Sequence, residues 1–284
     1  MAKITRRGFI KSGIALSLFP LYADAQESST DNRLSFIHIT DSHMDLDDED
    51  SVKSIERMVA YINANYKKLD FVLFGGDNFN NNVAGDKDAV EFKKIIEKLN
   101  FPTYLVRGNK ESSASVWSDD TSIDLPEFKK LFIDGKSLDT DAKNWSLNIK
   151  GYTILGLDST IENANNGIYD EATLKFAESR LKDGKPTVIL NHHPYTNYWK
   201  GTEEKDIHKY VLNNTKEAQE RLFKYPNLIL TLSGHKHIDS VTQIGNTKVI
   251  VTRGFVRPLD KGMYPMRYIE LDGKDISEKL IYTS

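Results

Sequence analysis

Five short polar clusters recur along this chain: Asp41-Ser42-His43, Gly76-Asp77, Gly108-Asn109, His192-His193-Pro194 and Gly234-His235-Lys236-His237. Together they offer carboxylate, amide and imidazole groups. These are hard or borderline donors, suited to Mn, Fe, Zn, Co or Ni, and no soft donor stands among them. The chain has no cysteine, which removes disulfides, thiol nucleophiles and cysteine-based zinc sites. Each cluster alone carries little, because a D-x-H pair can decorate any surface and Gly-Asp any turn. The G-H-K-H run says more. Alternate residues of an extended segment point to opposite faces, so both histidines serve one site only on a bent loop, which Gly234 permits.

The joint signal lies in where the clusters fall. "LSFIHIT" (34–40), "FVLFGG" (71–76) and "TYLVRG" (103–108) read as strands, separated by helical periodicity over 49–68 and 88–99. That β-α-β-α-β order implies parallel strands joined by right-handed crossovers, with ligands bound beyond their carboxyl ends. Each of the three strands runs into one of the clusters. Further on, "WSLNIK", "YTILGLDS", "PTVILN" and "NLILTLSG" read as strands, with helices near 126–132, 171–182 (started by Asp170) and 215–224. The tail reads as antiparallel hairpins turning at Gly245-Asn246 and Asp272-Gly273. The 111–137 stretch is a loop-rich excursion that could wall a cleft. No repeat or linker follows residue 33, so 34–284 is expected to be one domain.

Other polar residues have plainer readings. His38 lies inside a strand and is expected to be a core or supporting histidine, His208 to face solvent, and Asp158 to make a structural hydrogen bond. "DLDDED" (45–50) lacks the glycine and distal glutamate of a calcium loop and reads as an acidic lead into a helix, where the dipole favours it. "NFNNN" (78–82) is either an asparagine-rich turn or part of a cleft lining.

The 284 residues are 39% hydrophobic and 28% charged with a formal net charge of -3, enough apolar material for a core and too acidic a balance for a nucleic-acid-binding surface. The N-terminus carries Lys3, Arg6, Arg7 and Lys11, then the apolar run "GIALSLFPLYA" and Ala23-Asp24-Ala25. This is the pattern of an export signal spanning 1–25 with cleavage after Ala25 and a spacer at 26–33. Thr5 to Lys11 is similar to the twin-arginine signal of the pathway that carries folded proteins. The apolar run falls short of the roughly 20 residues needed to span a bilayer, so no anchor is expected after cleavage. The expected location is the periplasm or the exterior.

The ordered set resembles the signature of the calcineurin-like metallophosphoesterases, D-x-H, G-D, G-N-H-[DE], H and G-H-x-H, over most of the chain after Phe36. "NHHP" and "LGLDS" are most similar to the bacterial cyclic-nucleotide and glycerophosphodiester phosphodiesterase branch. The resemblance implies an α/β fold of two mixed β-sheets packed as a sandwich and flanked by helices. It also implies two divalent or trivalent metal ions: Asp41, His43 and His237 on the first, Asn109, His192 and His235 on the second, and Asp77 bridging. Such ions lie about 3.5–4 Å apart and need a shared anion, and a water between them becomes a hydroxide that attacks phosphorus in line. A small phosphate ester is the implied substrate, with a diester favoured.

One position departs from the family. Lys110 stands where a histidine is usual, and an ordinary lysine pKa of about 10.4 makes it a reluctant acid at neutral pH. Nearby metal cations would lower that value, letting it act as an acid; otherwise it serves as a point cation for a phosphate oxygen. Glu111 could instead pair with it and turn it aside. His193, next to the ligand position, is expected to support the ligands or face the substrate, and with Lys110 it is a candidate catalytic residue for protonating the leaving group. The rival readings are a phosphomonoesterase of the same fold, or a metal-stabilised binding protein with impaired turnover. Against a purple-acid-phosphatase type, Asn80 occupies the place of its tyrosine, three residues after the bridging aspartate.

Overall fold

A computed structural model describes residues 32–80, 85–112, 123–196, 205, 209–256 and 263–283. The export-signal reading and His208 lie outside the described residues. Two mixed sheets make up the domain. In the first, β1 (Leu34–Ile39), β2 (Phe71–Phe74) and β3 (Thr103–Leu105) run parallel. The hairpin of β11 (Pro265–Asp272) and β12 (Asp275–Tyr282) adds antiparallel to β1, giving the order β12-β11-β1-β2-β3. The second sheet has the order β4-β5-β6-β7-β8-β10-β9. It comprises β4 (Asp139–Thr140), β5 (Trp145–Ile149), β6 (Tyr152–Gly156), β7 (Thr187–Leu190), β8 (Leu228–Ser233), β9 (Ser240–Ile244) and β10 (Thr247–Val251). Strands β6, β7, β8 and β10 form its parallel centre.

The core follows from side-chain alternation. Ile154, Val188 and Leu190 join the cluster shared with the first sheet, while their neighbours Leu155 and Ile189 join a second cluster beneath α5 (Glu171–Leu181) and α6 (Thr215–Leu222). A parallel sheet covered on both faces must be apolar on both, and β7 is buried at every residue. Helix α1 (Glu49–Asn65) buries Ile55, Met58, Val59 and Ile62 at helical spacing. It begins at Asp48, whose carboxylate caps Asp50 and Ser51 N–H. The acidic run is therefore a capped helix start. Helices α4 (Leu125–Phe132) and α5 begin the same way, at Asp124 and Asp170.

The expected elements are present with shorter ends. Helix α1 stops at Asn65 where Tyr66 turns extended to stack on Tyr268, and α2 (Lys87–Ile96) gives way to turns before Leu99. Strand β3 is three residues long, and Val106 to Gly108 leave the sheet to carry the cluster that follows; a one-turn helix, α3, spans Asn109–Ser112. The first-sheet strand ends and those of β7 and β8 open toward the same edge, as the ligand distances below require.

Candidate metal centre

Backbone hydrogen bonds bring the clusters together before any side chain is considered. Asp41 N–H donates to Gly76 O at 3.0 Å, and His43 N–H to Asp77 O at 2.9 Å, extending the β1–β2 register past the strands. His235 N–H crosses from the second sheet to Asp41, at 3.0 and 2.9 Å from its two carboxylate oxygens. These loops turn sharply. Of the seven non-glycine residues described with positive φ, five are Asp41 (54°), His43 (43°), Asp77 (50°), His235 (69°) and His237 (54°). Left-handed backbone costs an ordinary residue about 1 kcal/mol or more and collects where function demands it. Glycines allow the approach: a Cβ at Gly108 would sit 2.3 Å from Asp77 N, and one at Gly234 would sit 1.9 Å from Thr40 Oγ1.

All seven predicted ligands converge. His237 Nε2 lies 3.2 Å from Asp41 Oδ1 and 3.2 Å from His43 Nε2. His192 Nε2 and His235 Nδ1 lie 3.2 and 3.0 Å from Asn109 Oδ1. Asp77 stands between the two groups, its Oδ2 being 3.7 Å from His43 Nε2 and 3.4 Å from His192 Nε2. Its other oxygen accepts the Lys110 backbone N–H at 2.7 Å. Asp41, Asp77 and His192 are buried.

For four of these residues outer partners fix which atom faces inward. His192 Nδ1 donates to Gly75 O at 2.9 Å, and His235 Nε2 to Lys209 O at 3.3 Å; a carbonyl can only accept, so the opposite nitrogens hold lone pairs toward the centre. His43 Nδ1 donates to Asn80 Oδ1 at 2.9 Å, and Asn80 in turn donates to Asp45 Oδ2 at 3.2 Å. Asn109 Nδ2 donates to Asn165 Oδ1 at 3.3 Å, leaving its amide oxygen inward. Lone pairs of two carboxylates, an amide and three imidazoles thus face one another at about hydrogen-bond distance, with His237 Nε2 beside them. Such a set repels itself unless cations or protons lie between, and it fits metal ions of the hard or borderline class.

The charge balance agrees. Burial raises the Asp77 carboxyl, but His192, by charge and hydrogen bond, then His43 and the Lys110 N–H hold it well below the usual range. Burial likewise opposes charge on His192, yet Asp77 and Asp41 lift it to about 9. Burial and the neighbouring His192 depress His235 to about 3.

Three further residues brace this set. Glu111 is fully buried and its carboxylate accepts three backbone N–H groups, from Asp77 at 3.0 Å, Asn78 at 2.6 Å and Gly108 at 2.7 Å. It therefore does not turn Lys110 aside, the role the sequence left open to it: its oxygens serve the loops that carry Asp77 and Asn109. Burial and the Asp77 charge push it up to about 7. His193 stands behind the ligands, not in the cleft. Its Nε2 donates to Asn165 O at 3.2 Å and its Nδ1 accepts from Ser159 Oγ at 2.8 Å, which leaves no lone pair for a metal despite its closeness to His192 and His235. Arg107 is buried with ion pairs to Asp158 at 2.7 Å and Glu162 at 2.9 Å, tying β3 to the 158–165 segment that supplies Asn165. Asp158 makes the structural contact expected of it. His38 is buried and donates or accepts through Nδ1 at Thr252 Oγ1, 2.9 Å away, with burial lowering it to about 3.

Lys110 is partly exposed beside Asn109. A cleft of about 170 Å³ opens next to His43, lined by Asp45, Asp48, Asn80 and Tyr264 among others. No helix among the described residues is long and apolar enough to cross a membrane. Sequence reasoning did not find Asn165, Ser159 or the Lys209 carbonyl. A backbone carbonyl leaves no mark in residue type, and Asn165 lies in an asparagine-rich turn with nothing to set it apart.

A two-sheet sandwich that gathers such a donor set at its strand ends is the build of a metal-dependent hydrolase of phosphate esters. Residues 34–239 match the calcineurin-like phosphoesterase profile, and the chain belongs to that family. A Fibrobacter succinogenes protein described as a probable cyclic nucleotide phosphodiesterase is 24% identical over 221 residues, 78% of this chain and 77% of its own. The fold is similar to that of a dimetal phosphatase from Danio rerio, with a TM-score of 0.65 at 12% identity over 88% of this chain and 99% of that one. It is also similar to a purple acid phosphatase from yellow lupin seeds, with a TM-score of 0.61 at 11% identity over 88% and 52%.

Proposed function

We propose that the protein is an exported phosphodiesterase with a dinuclear metal centre. The observation that carries this is Asp77 Oδ2, set between His43 Nε2 at 3.7 Å and His192 Nε2 at 3.4 Å, where one carboxylate can serve two ions. Asp41, His43 and His237 would hold one metal, Asn109, His192 and His235 the other. When bound, the metals supply Lewis-acid polarisation of the phosphate and an activated water. The chain supplies the rest. Gly75 O, Lys209 O and Asn80 fix the histidine tautomers, and Glu111 holds the Asp77 and Asn109 loops at the required separation.

Two observations favour the diester. Lys110 replaces the histidine that would protonate a poor leaving group, and the Fibrobacter relative is described as a probable phosphodiesterase. Lys110 then acts as a cation for a phosphate oxygen. Export rests on the arginine pair and the Ala23-Asp24-Ala25 pattern and is tested by fractionating cells that express the full chain. The reaction is tested with metal-loaded protein on bis(4-nitrophenyl) phosphate and 4-nitrophenyl phosphate, alongside metal analysis. Faster turnover of the diester with two ions per chain is expected. Preference for the monoester would sink the diester assignment. Two bound ions with no turnover of either would make this a binding protein.

A further inference from the structure

Lys236 lies between the ligands His235 and His237, in a loop that both enter with positive φ. Its Nζ sits 3.5 Å from the centroid of the Tyr210 ring. An aromatic face holds an ammonium in place without neutralising it. The adjacent residue helps seat that ring, because Lys209 O accepts from His235 Nε2 at 3.3 Å. The 209–210 segment is thereby fastened to the G-H-K-H loop at two points.

Lys236 is partly buried, and no carboxylate forms an ion pair with it among the described residues. The one acid whose charge reaches it is Asp41, a predicted metal ligand whose oxygens are committed to His237 and to the His235 N–H. A partly desolvated cation with no counter-ion is costly to keep, and this one is kept at the rim of the metal centre. Lys110, which follows the predicted ligand Asn109 after β3, is the cation expected to serve the scissile phosphate, whereas Lys236 enters from the loop after β8. A charge held apart on an aromatic arm is suited to a different anion.

We propose that Lys236 is a specificity residue whose ammonium, positioned on Tyr210, binds a second anionic group carried by the phosphate ester. The favoured substrates are thus diesters bearing a further carboxylate or phosphate, ahead of neutral alkyl or aryl ones. This builds on the phosphodiesterase reading above.

The test compares 2-carboxyethyl 4-nitrophenyl phosphate with propyl 4-nitrophenyl phosphate, which share a leaving group and differ by one carboxylate. Wild type is expected to favour the carboxylate ester by about 10-fold in kcat/KM, chiefly through KM, the range of one charge-assisted hydrogen bond. Lys236→Met should bring that ratio to about one, Lys236→Arg should retain most of it, and Tyr210→Leu should lower it where Tyr210→Phe does not. A second measurement needs no turnover: calorimetric binding of 3-phosphonopropionate and propylphosphonate to the metal-loaded proteins should show the same preference and the same loss. Equal affinity of wild type for the two phosphonates, or a preference that survives Lys236→Met, overturns the proposal. So does an equal fall for both esters with loss of metal, which would make Lys236 a structural tether. If wild type hydrolyses neither ester, the phosphodiesterase reading fails while the phosphonate pair still decides the role of Lys236.

Discussion

Glu111 accepts three backbone N–H groups with two oxygens, one of them from Asp77, and meets no ligating side-chain atom. Its effect on the centre is exerted through the loops it braces. Glu111→Gln would keep the bonds to one oxygen and set an NH₂ group against a backbone N–H on the other side. A loss of metal affinity of about 10- to 100-fold is expected, the usual range for groups that orient ligands, and metal titration would check it. The same residue predicts a pH effect in metal-free protein. Its pKa is about 7 when folded against an ordinary 4.5, so between those values the folded chain holds a proton that the unfolded chain has lost. Stability therefore falls as pH rises from about 4.5 to about 7, by on the order of 3 kcal/mol. Urea unfolding at pH 5 and pH 8 should show a smaller difference in Glu111→Gln than in wild type. Parallel pH profiles would mean that Glu111 titrates normally.

At the scale of elements, the ligands depend on how closely loops from different strands approach. Gly108, just past β3, has no room for a side chain: an added Cβ meets Asp77 N and Oδ1, both at 2.3 Å. Gly108→Ala should cost about 1–3 kcal/mol or more and weaken metal binding, because the group displaced is the Asp77 carboxylate, which stands between the two sets of predicted ligands. Gly151 offers the contrast. It has φ of 83° and nothing within 4 Å of an added Cβ, so Gly151→Ala should cost only left-handed strain, about 1–2 kcal/mol, and leave metal affinity alone. Comparable metal affinity in the two variants would rule out this packing account. The elements themselves were largely legible. Strands β1, β2, β7 and β8 announce themselves by apolar runs that end in a polar cluster, and the caps at Asp48 and Asp170 by their residue type. What could not be read was β11 returning to pair with β1 across the length of the chain, since register between distant segments is set by packing and leaves no local trace.

For the whole molecule, the ligands are held by backbone and side-chain hydrogen bonds that do not require the ion. Chelation should therefore leave the secondary structure intact and lower only stability. With metal at about a thousandfold over its dissociation constant, the linkage is about 4 kcal/mol, or on the order of 10 °C in melting temperature for a domain of this size. Circular dichroism melts with and without a chelator would measure it; a chain that unfolds on chelation would refute a preformed centre. That these seven residues would converge was legible because metal chemistry narrows residue type and strand ends narrow position. Asn165 and Lys209, which hold two of them, were not, because their contribution is an orientation that only the assembled sandwich creates.

The backbone at those ligands has one more consequence. Asp41, His43, Asp77, His235 and His237 all sit at positive φ, a region that among residues with side chains only asparagine, aspartate and histidine enter with any ease. These are the same residue types that bind hard and borderline metals. The main chain and the metal thus filter the alphabet in the same direction, and any attempt to retune the centre by exchanging ligands meets both filters at five positions. Only Asn109 and His192, which are free of that torsional restriction, leave room for glutamate or cysteine. Changes in metal preference, whether by drift or by engineering, would have to enter through the half of the centre that those two residues share.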